Sequence, residues 1–136
     1  MKPMKTIIVD DHPVVREGLR LLMECESQVE VVGEASNGFQ ALEAVRMLGP
    51  DLMVLDINMP EMSGLEVLRH LRAEANTVRI IILSSHYDAC YVEAAIALGV
   101  DGYVGKSSGF DVLMLAITAV RQGARYVDPK LYCKAA

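Results

Sequence analysis

Two apolar runs in this chain end in carboxylates. Leu52-Met53-Val54-Leu55 leads straight into Asp56, and Ile7-Ile8-Val9 leads into Asp10-Asp11. Brought together, these three acids would repel, and at least one pKa would rise unless a cation relieved the conflict. A hard divalent ion does this with oxygen ligands, and Mg2+ (or Mn2+) suits one or two carboxylates, waters and phosphate oxygens. Asp11 and Asp56 would ligate directly, Asp10 through water, and the backbone carbonyl of Asn58 would reach in from the turn behind Asp56. Such an ion offsets the charge of an incoming phosphoryl group and leaves Asp56 as the nucleophile.

Two further polar residues end apolar runs. Ser84 closes Arg79-Ile80-Ile81-Ile82-Leu83, and Lys106 follows Gly102-Tyr103-Val104-Gly105. Lys106 would supply a compact positive charge to an aspartyl phosphate. Ser84 would supply a hydroxyl that swings toward it. That swing would leave space into which Tyr103 could move, changing the surface formed by the fourth helix, fifth strand and fifth helix. Each residue alone has an ordinary reading: Asp10-Asp11 as a helix cap, Asp56 as the start of a turn, Lys106 as a solvated loop lysine, Ser84 as a common strand end, Tyr103 as static core. Their shared position after apolar runs is what argues for chemistry.

The elements that must position them are legible. Uninterrupted apolar runs predict strands buried on both faces at about 6–10, 52–56, 79–84 and 102–104, whereas 29–35 alternates and reads as an edge. Helices fall between them. Pro13 fits a first helical position; Asn37 reads as an N-cap, Gly49-Pro50 as a stop, Ser63 with Glu66 as a capping box, and Ser108 with Asp111 as the cap of the last helix. Five strands alternating with five helices predict a three-layer α/β domain with a parallel sheet. Acids after the first and third strands make those strands neighbours at a switch point, giving the order 2-1-3-4-5. All the strand ends then share one edge. Residues 126–136 show no clear period.

The 136 residues suit one domain, and 52% apolar residues exclude a disordered chain. A net charge of -5 argues against direct contact with nucleic acid or an anionic membrane. Cys25, Cys90 and Cys133 have no metal-ligand spacing and suit a reducing compartment. No run approaches a membrane span and no leader pattern opens the chain, so a cytoplasmic protein is expected. His12, beside the acids, could ligate the metal but is expected rather to point outward at a helix start, and His70 to lie on an exposed face. His86, near Ser84, is a candidate for ordering the water that attacks the phosphate. Met114 and Leu115 add more apolar surface to the last helix than its core face requires.

The set Asp10-Asp11, Asp56 with Pro60 and Gly64, Ser84, Tyr103 and Lys106 resembles the receiver domain of a two-component response regulator, over about residues 5 to 123. Val-Asp-Asp-His-Pro at 9–13, Gly-Glu-Ala-Ser-Asn-Gly at 33–38 and Gly-Val-Asp-Gly-Tyr-Val-Gly-Lys at 99–106 look most like the NarL/FixJ-type subfamily. The resemblance implies a flavodoxin-like (CheY-like) fold. It implies a sensor histidine kinase as phosphoryl donor to Asp56, no enzymatic turnover beyond self-phosphorylation and slow self-dephosphorylation, and a possible homodimer on phosphorylation. It also implies a C-terminal helix-turn-helix domain as the route to DNA. On this reading residues 1–124 form the receiver and 125–136 begin a linker. Many receivers carry proline after the lysine, with a cis bond; here Ser107 follows, and a cis bond to it would cost roughly 3–4 kcal/mol.

Three rival readings stand beside this one. The chain could be a stand-alone single-domain regulator. A haloacid-dehalogenase-like phosphatase would also use an aspartyl phosphate and Mg2+, but its Asp-x-Asp pattern is broken by His12. A flavodoxin-like cofactor binder would need N–H groups and hydroxyls after the first strand, where Asp10-Asp11 would repel phosphate.

Overall fold

A computed structural model describes residues 2–85 and 88–131. Its elements are β1 (Met4–Val9), α1 (Pro13–Glu24), β2 (Val29–Ala35), α2 (Gly38–Leu48), β3 (Leu52–Leu55), α3 (Gly64–Ala73), β4 (Arg79–Ser84), α4 (Ala89–Ala97), β5 (Gly102–Gly105), a single 3-10 turn (Lys106–Ser108), α5 (Phe110–Arg121) and β6 (Tyr126–Val127). The strands form one parallel sheet in the order β2-β1-β3-β4-β5-β6. The expected order is present, with β2 at one edge and one more strand added beyond β5.

The strand runs are apolar throughout because both faces of the sheet are covered. Alternate residues separate cleanly. Ile7, Val9, Met53, Leu55, Ile80, Ile82 and Tyr103 join the cluster that takes in residues of α2, α3 and α4. Ile8, Leu52, Val54, Ile81, Leu83 and Val104 join the opposite cluster with Met23 of α1 and four residues of α5. Fully burying each of the larger side chains contributes about 1.5–3 kcal/mol, so a one-residue register slip would be very costly.

The helix ends follow their local chemistry. Pro13 opens α1. The Asn37 and Ser63 side chains accept from the N–H groups of Gln40 and Glu66. Gly49 closes α2 in the left-handed conformation at φ 56°. The last helix differs from expectation. Gly109, at φ 95°, is the N-cap of α5 and no side chain caps it. The Ser108 hydroxyl donates to Asp128 instead, because a buried carboxylate is the stronger acceptor. On α5, Met114 packs against the apolar cluster while Leu115 is 58% exposed.

Residues 126–131 add to the domain. Tyr126 and Val127 pair with Gly102 and Tyr103, and Leu131 is wholly buried. A strand of two residues is too short to show any period. Among the described residues no helix is long and apolar enough to cross a membrane, and no peptide bond is cis, so Lys106–Ser107 is trans. Cys25 and Cys90 are exposed thiols. Cys133 and His86 lie outside the described residues.

Candidate functional site

Pairing register brings the C-terminal strand ends level: Val9 faces Leu55, Leu55 faces Ile82, and Ser84 faces Gly105. The residues that follow therefore gather on one edge. The Asp10 N–H donates to Ala35 O (3.1 Å) and the Asp56 N–H to Val9 O (3.0 Å), so both acids are held by the ladder itself. Both are buried, at 2% and 3% exposure.

The turn after Asp56 folds back on it. The Asn58 N–H donates to Asp56 Oδ1 (3.2 Å), and the Gly64 N–H donates to Ile57 O (2.8 Å). A Cβ on Gly64 would sit 2.3 Å from the Asp56 carbonyl oxygen. Only glycine lets α3 start this close to the strand end.

Asp10, Asp11, His12 and Asp56 each offer a ligand atom, and these atoms lie within 4.8 Å of one another. The Lys106 ammonium stands 3.1 Å from Asp10 Oδ2 and 3.4 Å from Asp56 Oδ2. The second separation is an ion pair rather than a direct hydrogen bond. Asp11 Oδ1 and Asp56 Oδ2 are buried oxygens without a hydrogen-bond partner. Such groups are costly unless something else meets them. Two oxygens without a hydrogen bond, in a cluster of three carboxylates beside His12, fit a hard divalent cation.

Electrostatics follows from this crowding. Burial pushes the Asp56 carboxyl up, and Asp10 adds to the rise against the opposing pull of Lys106 and the Asn58 N–H. Burial lowers Lys106, but the two carboxylates outweigh it and its pKa is raised.

His12 departs from expectation. It is 57% exposed, yet its Nδ1 turns onto the acids, 2.7 Å from Asp10 Oδ1 and 3.0 Å from Asp11 Oδ1. Its hydrogen bond with Asp10 and the charges of both acids raise its pKa. Arg16, which sequence reasoning passed over, donates to Asp10 O (2.7 Å) from the first turn of α1. Its spacing of six residues from Asp10 carries no motif. His70 is exposed on α3, as expected.

Ser84 and Tyr103 are wholly buried beside the cluster's strand ends. Expectation has the ring entering a space that Ser84 vacates. The structure holds the ring inside the core. Burial pushes the Tyr103 phenol up to about 12, with the Ser84 side chain acting the other way.

A family model described as the response regulator receiver domain matches residues 6–118. The chain belongs to this family. The receiver is 42% identical over 129 residues to the nitrate/nitrite response regulator protein NarP of Escherichia coli, covering 95% of this chain and 60% of that protein. It is 36% identical over 128 residues to the transcriptional regulatory protein DegU of Brevibacillus brevis, covering 94% of this chain and 54% of that one. Among solved structures, a LuxR-family two-component response regulator from an Aurantimonas species superposes with a TM-score of 0.91 at 36% identity, covering 96% of this chain and 93% of that one. The receiver thus spans little more than half the length of these curated relatives. The fold is the flavodoxin-like one of CheY, and the phosphatase and cofactor-binder readings are set aside.

Proposed function

We propose that Asp56 is the phosphoryl acceptor of this receiver, with a sensor histidine kinase as donor. The observation that carries this is the Asp56 carboxylate itself: buried, its Oδ2 without a hydrogen bond but 3.4 Å from Lys106, and inside the acidic cluster. In the transfer, an Asp56 oxygen bonds to phosphorus as the phosphorus–nitrogen bond of a phosphohistidine breaks. The electron pair leaves with the imidazole, which then takes up a proton.

Asp11, Asp56 and the Asn58 carbonyl would hold Mg2+ (or Mn2+) directly, with Asp10 through water. Bound there, the ion would offset the charge of the carboxylates and of the phosphoryl group. Lys106 already spans Asp10 and Asp56 and would stay with the phosphorylated Asp56 as its charge partner. Because Ser84 and Tyr103 are both buried and act on each other electrostatically, a turn of the Ser84 hydroxyl toward the phosphate changes the surroundings of the phenol. That alters the α4-β5-α5 surface without requiring the ring to enter from outside. The protein's own catalysis is limited to accepting the group and slowly hydrolysing it.

The chain's span of 54–60% of its relatives supports a receiver followed by an output domain; since β6 pairs with β5 and Leu131 is buried, the receiver unit extends through residue 131 rather than ending at 124. A helix-turn-helix domain there would contact DNA and control transcription, and phosphorylation would promote a homodimer. A cytoplasmic setting belongs to the same reading. Incubation with acetyl phosphate and Mg2+, followed by peptide mass mapping, tests it: the modification should fall on Asp56, and a modification confined to another residue would refute it.

A further inference from the structure

A carboxylate outside the acidic cluster holds the turn that carries Lys106. Asp128 follows β6 and is 2% exposed. Its N–H donates to the Tyr103 carbonyl (2.9 Å). Its Oδ2 accepts from the Gly105 N–H (3.1 Å) and from the Ser108 hydroxyl. Its Oδ1 accepts from the Lys130 N–H (3.1 Å). Gly105 immediately precedes Lys106, and Ser108 closes the turn that Lys106 begins. One buried oxygen therefore ties the two sides of the lysine together.

The segment that supplies this oxygen is itself anchored. Leu131 is wholly buried in the same apolar cluster as Tyr103. A buried carboxylate is expensive to leave unsatisfied, so the positions of Gly105 and Ser108 are set by Asp128 and not by solvent. The lysine side chain is long and flexible. Where its ammonium falls between Asp10 and Asp56 depends on how firmly its backbone is held.

We propose that Asp128 is a positioning residue for Lys106, and that residues 126–131 are coupled to the phosphoryl site through the turn at 105–108. This rests on the reading of Asp56 as acceptor. The coupling is reciprocal by thermodynamic necessity. Charge arriving at Asp56 pulls on Lys106 and hence on the grip of Asp128. Displacing residues 126–131 loosens Lys106 in turn. The exit of the chain toward any following domain is then part of the switch.

Two variants test this. Asp128→Asn keeps the shape but leaves one acceptor oxygen to serve donors on both sides. Ser108→Ala removes a single bond without opening the core. For each, the labelling rate of Asp56 by acetyl phosphate with Mg2+ is measured per folded molecule, and the Lys106 ammonium resonance is recorded by NMR without phosphodonor. Asp128→Asn should label about tenfold more slowly, as when a group that orients a ligand is removed. Ser108→Ala should be slowed in the same direction, and the Lys106 resonance should move in both. Wild-type rates with an unmoved resonance would overturn the proposal, even if stability fell. If Asp128→Asn does not fold, Ser108→Ala decides by the same two readouts. Labelling of the wild type away from Asp56 would defeat the acceptor reading, and the resonance would still report on Asp128.

Discussion

The Lys106 ammonium stands 3.4 Å from Asp56 Oδ2, within ion-pair range and beyond a direct hydrogen bond. It also neutralises Asp10 at 3.1 Å, so removing it leaves two buried acids facing each other. Lys106→Met should therefore lose about 1–3 kcal/mol of stability without divalent cation, and added Mg2+ should restore part of it. Urea unfolding with and without Mg2+ measures both effects. Equal stability of variant and wild type would show that the pair is not coupled.

Asp11 predicts the opposite sign. Its Oδ1 is buried without a hydrogen bond beside two other acids, with only the half-exposed His12 ring 3.0 Å away as a counter-charge, so Asp11→Asn should stabilise the cation-free protein while abolishing the gain from Mg2+. For the wild type that gain is about 1.4 kcal/mol when the ion is tenfold above its dissociation constant. A variant that still gains as much from Mg2+ would remove Asp11 from the ligand set.

Gly64 is a backbone requirement. Its Cβ position lies 2.3 Å from the Asp56 carbonyl oxygen and 2.8 Å from Ile57 Cα. Since neither neighbour is a flexible side chain, Gly64→Ala should cost about 1–3 kcal/mol by overpacking and slow phosphorylation by moving the turn behind Asp56. An unchanged unfolding midpoint would count against the close approach.

Tyr103 gives a pH signature. Burial raises its phenol from 10.0 to about 12. The fold favours the neutral form, so the stability it contributes is complete below pH 10 and is lost as pH rises through about 12. A phenolate absorbance titration should show a late step near pH 12 that Tyr103→Phe removes. Persistence of that step in the variant would assign it elsewhere.

Much of this site is legible in the sequence because a parallel sheet buries both faces. Residues 52–55 and 80–83 are continuous apolar runs that fit covered strands, so the polar residue after each emerges at the same edge. Asn37, Gly49 and Ser63 were readable because caps and stops are local chemistry. What escaped depends on tertiary neighbours. Ser108 reads as a cap until Asp128, twenty residues on, competes for its hydroxyl. Asp128 itself follows a strand too short to have a period. His12 reads as solvent-facing until the charges of Asp10 and Asp11 draw its ring back.

The central claim is that Asp56 is the acceptor. The direct measurement is the intact mass of wild type and Asp56→Asn side by side, after acetyl phosphate and Mg2+, with circular dichroism on both. The account predicts one phosphoryl group on the wild type, none on the variant, and the same fold in each. A folded Asp56→Asn protein labelled to the wild-type level would contradict it.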